Sequence, residues 1–454
     1  MNYYSSIVAT GSAAGELIIP NSYFAVNKLY KENGSGRLEA KEKTEEEIYA
    51  VTGINRRRWT ERSPQHLGAK ALENILKESY GEPELLIVAH NSKFRNIYSP
   101  IPAMSAVAQK TLQEPANPNT IAFDIITDCP DERVCADENS ITLDDLVEIY
   151  ADRGRSDVYI SRTNELGLSL ASPACLESGS SFEYGPDVII TQYSGWGTMA
   201  KRVKNKLGLK RTATLDVIAG CPGFTMALDV ADRLIKNDVY KSIAVIGLDK
   251  LSAISDIDHL DSTLFADAAG GYLLEQSCEP GIVYSCFETY GELGDALRLD
   301  VSVQERLERE KNGADSALFG QKRKYLRMDG RKIFEFAVRQ LPLFVNKLLE
   351  GAKLSLPDIS TVYFHQMNSR IIQSVTKKLY NVQSDSELEK IMKEKVPVSL
   401  DEYGNSSVAT IPLTFDLVRK GRLAGFDAKL GSGKYVMNVA VGAGLILGGN
   451  VIKL

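Results

Sequence analysis

The chain has 454 residues, enough to bury a large core in two or three domains, with 44% apolar and 25% charged residues. A net charge of −6 offers no electrostatic footprint for nucleic acid and no reason to expect an anionic membrane partner. The N-terminus lacks a basic segment followed by an apolar run, and no stretch reaches the ~18 apolar residues of a membrane helix, so a cytoplasmic protein is expected. Six cysteines (Cys129, Cys135, Cys175, Cys221, Cys278, Cys286) show no paired metal-ligand spacing, which reads as reduced thiols and no metal site.

Ser6–Ile18 reads as a first strand and a glycine-containing loop. Thr44-Glu-Glu-Glu-Ile48 is a helix start with acids in its first turn. Val51-Thr-Gly-Ile-Asn-Arg-Arg-Arg-Trp59 is a turn followed by a basic strand or loop, its arginines either a solvated face or a contact for an acidic partner. A helix over Leu67–Tyr80 precedes an apolar strand, Leu85-Leu-Ile-Val-Ala89. Next come a helix over Pro100–Leu112, a strand from Thr120 to Cys129, an acidic turn-rich piece (Asp131–Asp152), a short strand Asp157–Ser161 and a polar loop through Tyr184. Asp187–Thr191, Thr198–Leu207 and Thr212–Ala219 read as strand, helix and strand. Strand–helix–strand therefore occurs twice, at 85–129 and 187–221, the pattern of a partial duplication.

Leu215-Asp-Val-Ile-Ala-Gly-Cys-Pro-Gly-Phe224 organises the rest. A strand ends near Ala219, and Pro222 suits the first turn of a helix because its missing N–H needs no partner there. Cys221 thus falls at a strand-to-helix corner, where the positive end of the helix dipole lowers a thiol pKa. Beyond it, strands Ser242–Gly247, Gly281–Thr289, Ser360–Phe364 and Tyr435–Val441 alternate with helices Gly223–Ile235 and Lys332–Leu349, the latter carrying Ile333, Phe336, Ala337 and Leu341 on one face. Alternation throughout indicates an α/β fold with largely parallel or mixed sheets.

His365 follows an apolar strand, and Asn405 sits in the loop Tyr403-Gly-Asn-Ser-Ser407 ahead of another helix. With Cys221 they form an ordered Cys…His…Asn set suited to covalent catalysis, since a thiolate nucleophile needs imidazole and amide donors for developing charge. Gly431-Ser-Gly-Lys434 is no phosphate loop: Ala428 stands where the first glycine belongs and Tyr435 where Ser or Thr belongs. His66, His90 and His259 fit no motif and are read as structural.

Six stretches in order resemble the ketoacyl-acyl-carrier-protein synthase III group of thiolase-fold condensing enzymes. They are Val51–Arg58, Asp216–Phe224, Leu264-Phe-Ala-Asp-Ala-Ala-Gly-Gly271, His365–Ile371, Tyr403–Ser407 and Gly442-Ala-Gly444. The resemblance implies a five-layered α-β-α-β-α fold of two similar halves, 1–278 and 279–454, with a large insertion at about 91–186, usually as a homodimer. It implies that Cys221 takes an acyl group from a thioester. His365 and Asn405 would then hydrogen-bond the carbonyl of a malonyl-type thioester while CO₂ leaves. The backbone N–H of Cys221, with one from Ala443 or Gly444, would hold the oxyanion. No cofactor is implied beyond acyl and malonyl thioesters of coenzyme A or an acyl carrier protein. Arg331, Lys332, Arg339 and Arg370 fall in the region matching the carrier-docking face; the plainer reading is ordinary solvated helix charge.

Two departures bear on the donor. Glu47 stands where the group usually carries a tryptophan that stacks on the coenzyme A adenine, and an arginine expected within Leu248–Leu264 is missing. Both favour a carrier-protein thioester. The insertion also leaves two cysteines to weigh. Measured from Thr52, Cys129 has the family's spacing; measured to Phe265, Cys221 has it. Cys221 is favoured because only it has the Gly-Phe that opens a helix, whereas Pro-Asp-Glu-Arg after Cys129 sets acids beside the sulfur. Decarboxylative condensation is the leading reading. Transfer of the acyl group to an alcohol or amine on the same fold, and a non-catalytic partner subunit, remain beside it.

Overall fold

In a computed structural model of the chain, the described residues are 3–26, 28–33, 37–79, 81–91, 158–164, 167–171, 188–192, 199–304, 306–307, 325–428 and 430–454. The helix at Thr198–Leu207 and the proposed strands near 85, 213, 242, 282, 359 and 435 all occur, with boundaries shifted by a few residues. Strands such as Leu85–His90 and Ser242–Lys250 are buried along nearly their whole length, which is why they read as continuous apolar runs.

They assemble into two mixed sheets. The first has the order Tyr4–Ala14, Asp267–Ser277, Ser242–Lys250, Leu85–His90, Ala213–Val217. Its first two pairings are antiparallel and its last two parallel. The second has the order Ile282–Thr289, Ile446–Lys453, Tyr435–Gly442, Ile359–Phe364, with only the last pairing parallel. Helices Gly223–Lys236 and Thr410–Arg419 fill the space between the sheets. There Phe224, Tyr272, Tyr363 and Phe415 stack with ring centroids 4.7 to 5.1 Å apart. Helices Pro64–Leu76 and Met199–Lys206 cover the outer face of the first sheet, closing a core of Leu67, Leu72, Leu86, Val88, Val203 and Ile246. Helices Gly330–Ala352 and Ser369–Leu379 cover the outer face of the second, around Phe344, Leu348, Ile372, Val439 and Val451. Apolar cores on both faces of each sheet give the α-β-α-β-α arrangement.

The chain divides into two compact units, and the five layers belong to the first: Met1–Ser92, Thr198–Ser316 and Lys322–Leu454. The second unit comprises Lys93–Gly197 and Ala317–Gln321. Its described part is a three-stranded antiparallel sheet in the order Gly167–Ala171, Val158–Asn164, Val188–Gln192. That pairing overturns two expectations. The polar loop through Tyr184 contains a strand. The strand at 188 belongs to its own sheet, and the parallel neighbour of Ala213–Val217 is Leu85–His90, so 187–221 is not a repeated strand–helix–strand unit. Periodicity identifies strands, but partners are set by packing. The readings over 100–112, 120–129 and 131–152, including Cys129, lie outside the described residues.

Glycine accounts for another difference. Tyr4–Ala14 runs as a strand straight through Gly11, where a loop was expected. A Cβ there would stand 2.5 Å from the Ala71 carbonyl oxygen, so glycine lets the outer helix lie against the strand. Helix Asp385–Lys395 was not anticipated at all; it buries only Leu388 and is capped by Ser384, whose hydroxyl accepts from the Glu387 N–H. No described helix is long and apolar enough to cross a membrane.

Candidate active site

Strand Ala213–Val217 delivers the chain to Gly220, whose φ of +63° glycine adopts without strain. Cys221 follows, then Pro222 as N-cap of helix Gly223–Lys236. The second sheet presses on this corner from the other side. A Cβ at Gly442 would lie 2.6 Å from both Cys221 N and Pro222 Cδ, and one at Gly448 would lie 2.9 Å from Pro222 Cβ. Gly442 is therefore glycine because backbone must meet backbone here.

The Cys221 sulfur receives a hydrogen bond from the Ser407 hydroxyl at 3.4 Å, and the backbone N–H groups of Cys221 and Ala443 favour its thiolate. Gly444 contributes a left-handed turn (φ +76°). Burial nevertheless pushes the thiol up to about 11, with the nearby Asp249 carboxylate acting in the same direction and the hydrogen bonds against it. The thiol pKa lowered by a helix end, expected from the sequence, is thus corrected: enclosure of the sulfur outweighs it.

His365 stands at the end of strand Ile359–Phe364, where its N–H donates to the Val439 carbonyl at 2.8 Å. Its ring is 2% exposed, and Nδ1 lies 2.6 Å from the Thr410 hydroxyl. Burial holds its pKa down to about 3, so the imidazole is neutral. Asn405 is fixed by two backbone bonds across to the first half, Asn405 N–H to Leu264 O (2.9 Å) and Ala266 N–H to Asn405 O (2.8 Å). Its side-chain Oδ1 accepts from the Ser407 N–H at 2.9 Å, which leaves the Nδ2 donors for the cleft it lines.

Ser407 joins the three. Its hydroxyl bonds the sulfur, its N–H bonds Asn405, and its carbonyl accepts from Thr410, whose hydroxyl meets His365. It holds a φ of +54°, costly for a non-glycine residue. Behind it, Asn91 donates to the buried Asp249 carboxylate through N–H (2.7 Å) and Nδ2 (2.9 Å), and to Ser407 Oγ at 3.2 Å, while its Oδ1 accepts from Gly220 N–H at 3.1 Å. Sequence reading missed Ser407, Thr410, Asn91 and Asp249. A signal existed for the last two: both fall at the carboxyl ends of parallel strands, where α/β sheets gather their functional groups.

A cleft of about 900 Å³ opens beside Asn405, walled by Leu264, Met367 and Phe334. Its rim mixes charges: Arg331 and Arg370 with Glu47 and Asp329. Arg331 and Arg370 thus reach the cleft, whereas Lys332 and Arg339 are exposed on helix Gly330–Ala352 outside its lining. Arg331 pairs with Glu335 at 2.8 Å and Lys332 with Asp329 at 3.2 Å. Glu47 belongs to the capping box of Thr44, accepting from the Thr44 N–H at 3.1 Å. The three arginines at 56–58 divide. Arg56 pairs with Glu402, Arg58 lies over the Tyr403 ring, and Arg57 is fully buried against Ile19 O, Asn21 and the Phe24 ring, so that one belongs to neither a solvated face nor a partner contact. His90 meets Asp216 at 3.3 Å, His259 Nδ1 accepts from the Asp261 N–H at 3.2 Å, and His66 contacts Arg62 at 2.9 Å. Among the described residues, no group of three His, Cys, Asp or Glu is placed to hold a metal ion.

Two families match the chain: 3-Oxoacyl-[acyl-carrier-protein (ACP)] synthase III over residues 215–291, and its C-terminal domain over 349–454. A beta-ketoacyl-[acyl-carrier-protein] synthase III of Streptococcus gordonii is 30% identical over 338 residues, 70% of this chain and 96% of that protein. The enzyme of that name from Streptococcus sanguinis is 31% identical over 299 residues, 64% of this chain and 85% of its own length. Among solved structures, the 3-oxoacyl-[acyl-carrier-protein] synthase III of Aquifex aeolicus superposes with a TM-score of 0.62 at 21% identity, covering 99% of this chain and 100% of that one. The priming β-ketosynthase of the R1128 polyketide pathway superposes with a TM-score of 0.64 at 19% identity, covering 100% and 97%.

Proposed function

This chain belongs to the β-ketoacyl-acyl-carrier-protein synthase III family, a condensing-enzyme family with the thiolase fold, and from that premise we propose the roles of its residues. Cys221 attacks the carbonyl of an acyl thioester; the backbone N–H groups of Cys221 and Ala443 hold the oxyanion, and the donor thiol leaves. A malonyl-type thioester then enters the cleft. In the working tautomer the Thr410 hydroxyl turns its single proton from the Ser407 carbonyl to His365 Nδ1, which leaves Nε2–H as a donor beside Asn405 Nδ2. Together these donors stabilise the enolate formed as CO₂ departs. The enolate carbon bonds the acyl carbonyl carbon, the bond to Cys221 breaks, and a β-ketoacyl thioester is released.

A neutral His365 supports this reading, because burial leaves the ring a hydrogen-bond donor that is not a cation. The observation that carries it is the single loop Asn405–Thr410, which joins nucleophile and both donors and whose Asn405 lines the cleft. The rim arginines 331 and 370 support an acidic acyl carrier protein as the source of the thioesters. The edge strand Ala213–Val217, with Leu215 39% and Ile218 71% exposed at and beyond it, supports a homodimer seated on that edge. Release of labelled CO₂ from a malonyl thioester tests the reaction class. Condensation predicts release with the wild type and its loss in His365→Ala and Asn405→Ala while Cys221 still acylates. Acylation with no CO₂ release and transfer to an added alcohol or amine would favour plain acyl transfer.

A further inference from the structure

The catalytic roles above leave the Cys221 proton without a destination. His365 is a poor one: its Nδ1 is committed to Thr410, it is buried, and its low pKa resists a second proton. The Ser407 hydroxyl bonds the sulfur, and Asn91 Nδ2, 3.2 Å from Ser407 Oγ and 2.9 Å from Asp249 Oδ2, sets that hydroxyl beside the Asp249 carboxylate. Ser407 has one hydrogen to give and two acceptors within reach. Asn91 fixes this arrangement, donating once to Ser407 Oγ and twice to Asp249 while its Oδ1 holds Gly220, the residue before the nucleophile. Asp249 is fully buried at the end of strand Ser242–Lys250, and burial raises its carboxyl pKa, which suits a group that takes a proton from a thiol.

We infer that Asp249, acting through the Ser407 hydroxyl and held by Asn91, is the acceptor of the Cys221 proton during acylation. As the sulfur bonds the donor's carbonyl carbon, its proton passes to Ser407 Oγ while the Ser407 proton passes to Asp249. When the carbon–sulfur bond to the donor breaks, the departing thiolate recovers a proton along the same chain, and Asp249 is again a carboxylate. Nothing is oxidised or reduced. Ser407 is a catalytic residue in this scheme, since it touches the reacting sulfur; Asp249 and Asn91 are positioning residues. The inference rests on the assignment of Cys221 as the acylated nucleophile. The other titratable groups facing the cluster are His90 and Asp216 on the neighbouring strands, Lys250 next in the chain, and His365 across Thr410 and Ser407.

Single-turnover acylation, followed by intact-protein mass spectrometry from pH 6 to pH 10, tests the relay in the wild type, Ser407→Gly, Asp249→Asn and His365→Ala. Glycine at 407 adopts the φ of +54° freely, so this variant keeps the loop, and alkylation by iodoacetamide checks that its Cys221 stays accessible. At pH 7, Ser407→Gly and Asp249→Asn are expected to acylate about 10²-fold more slowly than wild type. Their rates should then climb close to tenfold per pH unit, because only preformed thiolate reacts. The wild-type profile should be flatter, and His365→Ala should share it. A wild-type rate and slope in Ser407→Gly would overturn the relay, as would a uniform fall with unchanged slope, or a steepened profile in His365→Ala. Failure of the wild type to acylate with any thioester, despite alkylation at Cys221, would instead refute the functional assignment.

Discussion

Gly442→Ala is the substitution that separates crowding from chemistry at the nucleophile. Gly442 has φ −152°, which alanine adopts as readily, so no backbone strain enters. The added methyl meets Cys221 N and Pro222 Cδ at 2.6 Å and Cys221 Cβ at 3.0 Å. The shorter contacts fall about 0.9 Å inside the ~3.5 Å at which carbon contacts become favourable. Neither obstacle can rotate away, one being backbone and the other a proline ring. The corner itself must move, by several tenths of an ångström to about 1 Å. Overpacking of this kind costs about 1–3 kcal/mol of stability. A displacement near 1 Å of a reacting group costs about 10²-fold in rate. Urea denaturation should therefore show a folded but weakened protein, and single-turnover acylation a loss far larger than the unfolded fraction explains. Wild-type acylation in a variant destabilised by less than about 0.5 kcal/mol would refute the claim that the Gly442 approach positions Cys221.

Three further outcomes follow from the geometry. Thr410→Val keeps the volume but removes the hydroxyl that orients His365 Nδ1; acylation should persist while condensation falls at least tenfold, with about 1–2 kcal/mol of stability lost, and unchanged condensation would contradict the tautomer assignment. Asp267 is fully buried and its carboxyl is raised to about 6 despite bonds from Thr60 N, Ser252 N and Ser252 Oγ. Because its folded pKa exceeds the unfolded value, the folded state holds the extra proton, and this contribution to stability fades as pH rises from about 4 to about 6. The unfolding free energy of wild type minus that of Asp267→Asn should fall by about 2 kcal/mol between pH 4 and pH 7, and a flat or rising difference would be inconsistent with that burial. Arg331→Glu with Arg370→Glu should raise KM for carrier-bound thioesters by about tenfold and leave kcat and small free thioesters little changed; an equal effect on both substrate kinds would remove the rims from carrier recognition.

Much of the framework was legible from residue order alone. Runs such as Leu85–His90 are apolar because both their faces are covered, and Cys221 and His365 each stand where a strand gives way to a loop or helix, whereas Asn405 follows the short helix Leu400–Tyr403. What stayed hidden depends on pairing across the chain. The strand at 188 looks no different from its neighbours, yet it pairs outside the main sheets. Arg57 reads as one of three surface arginines, and only the fold shows it under Phe24. The elevated thiol of Cys221 comes from enclosure by residues distant in sequence, which a local helix-end argument cannot weigh. Ser407 matters through a left-handed backbone and four partners, and a Ser-Ser pair in a loop signals neither.

The central claim is that Cys221 carries the acyl group. Intact-protein mass spectrometry with peptide mapping, after incubation with acyl thioesters of coenzyme A and of an acyl carrier protein, tests it most directly. The account predicts an acyl adduct on the Cys221 peptide, retained in Cys129→Ala and absent in Cys221→Ala. An adduct lost only in Cys129→Ala, or no adduct from any thioester, would contradict it.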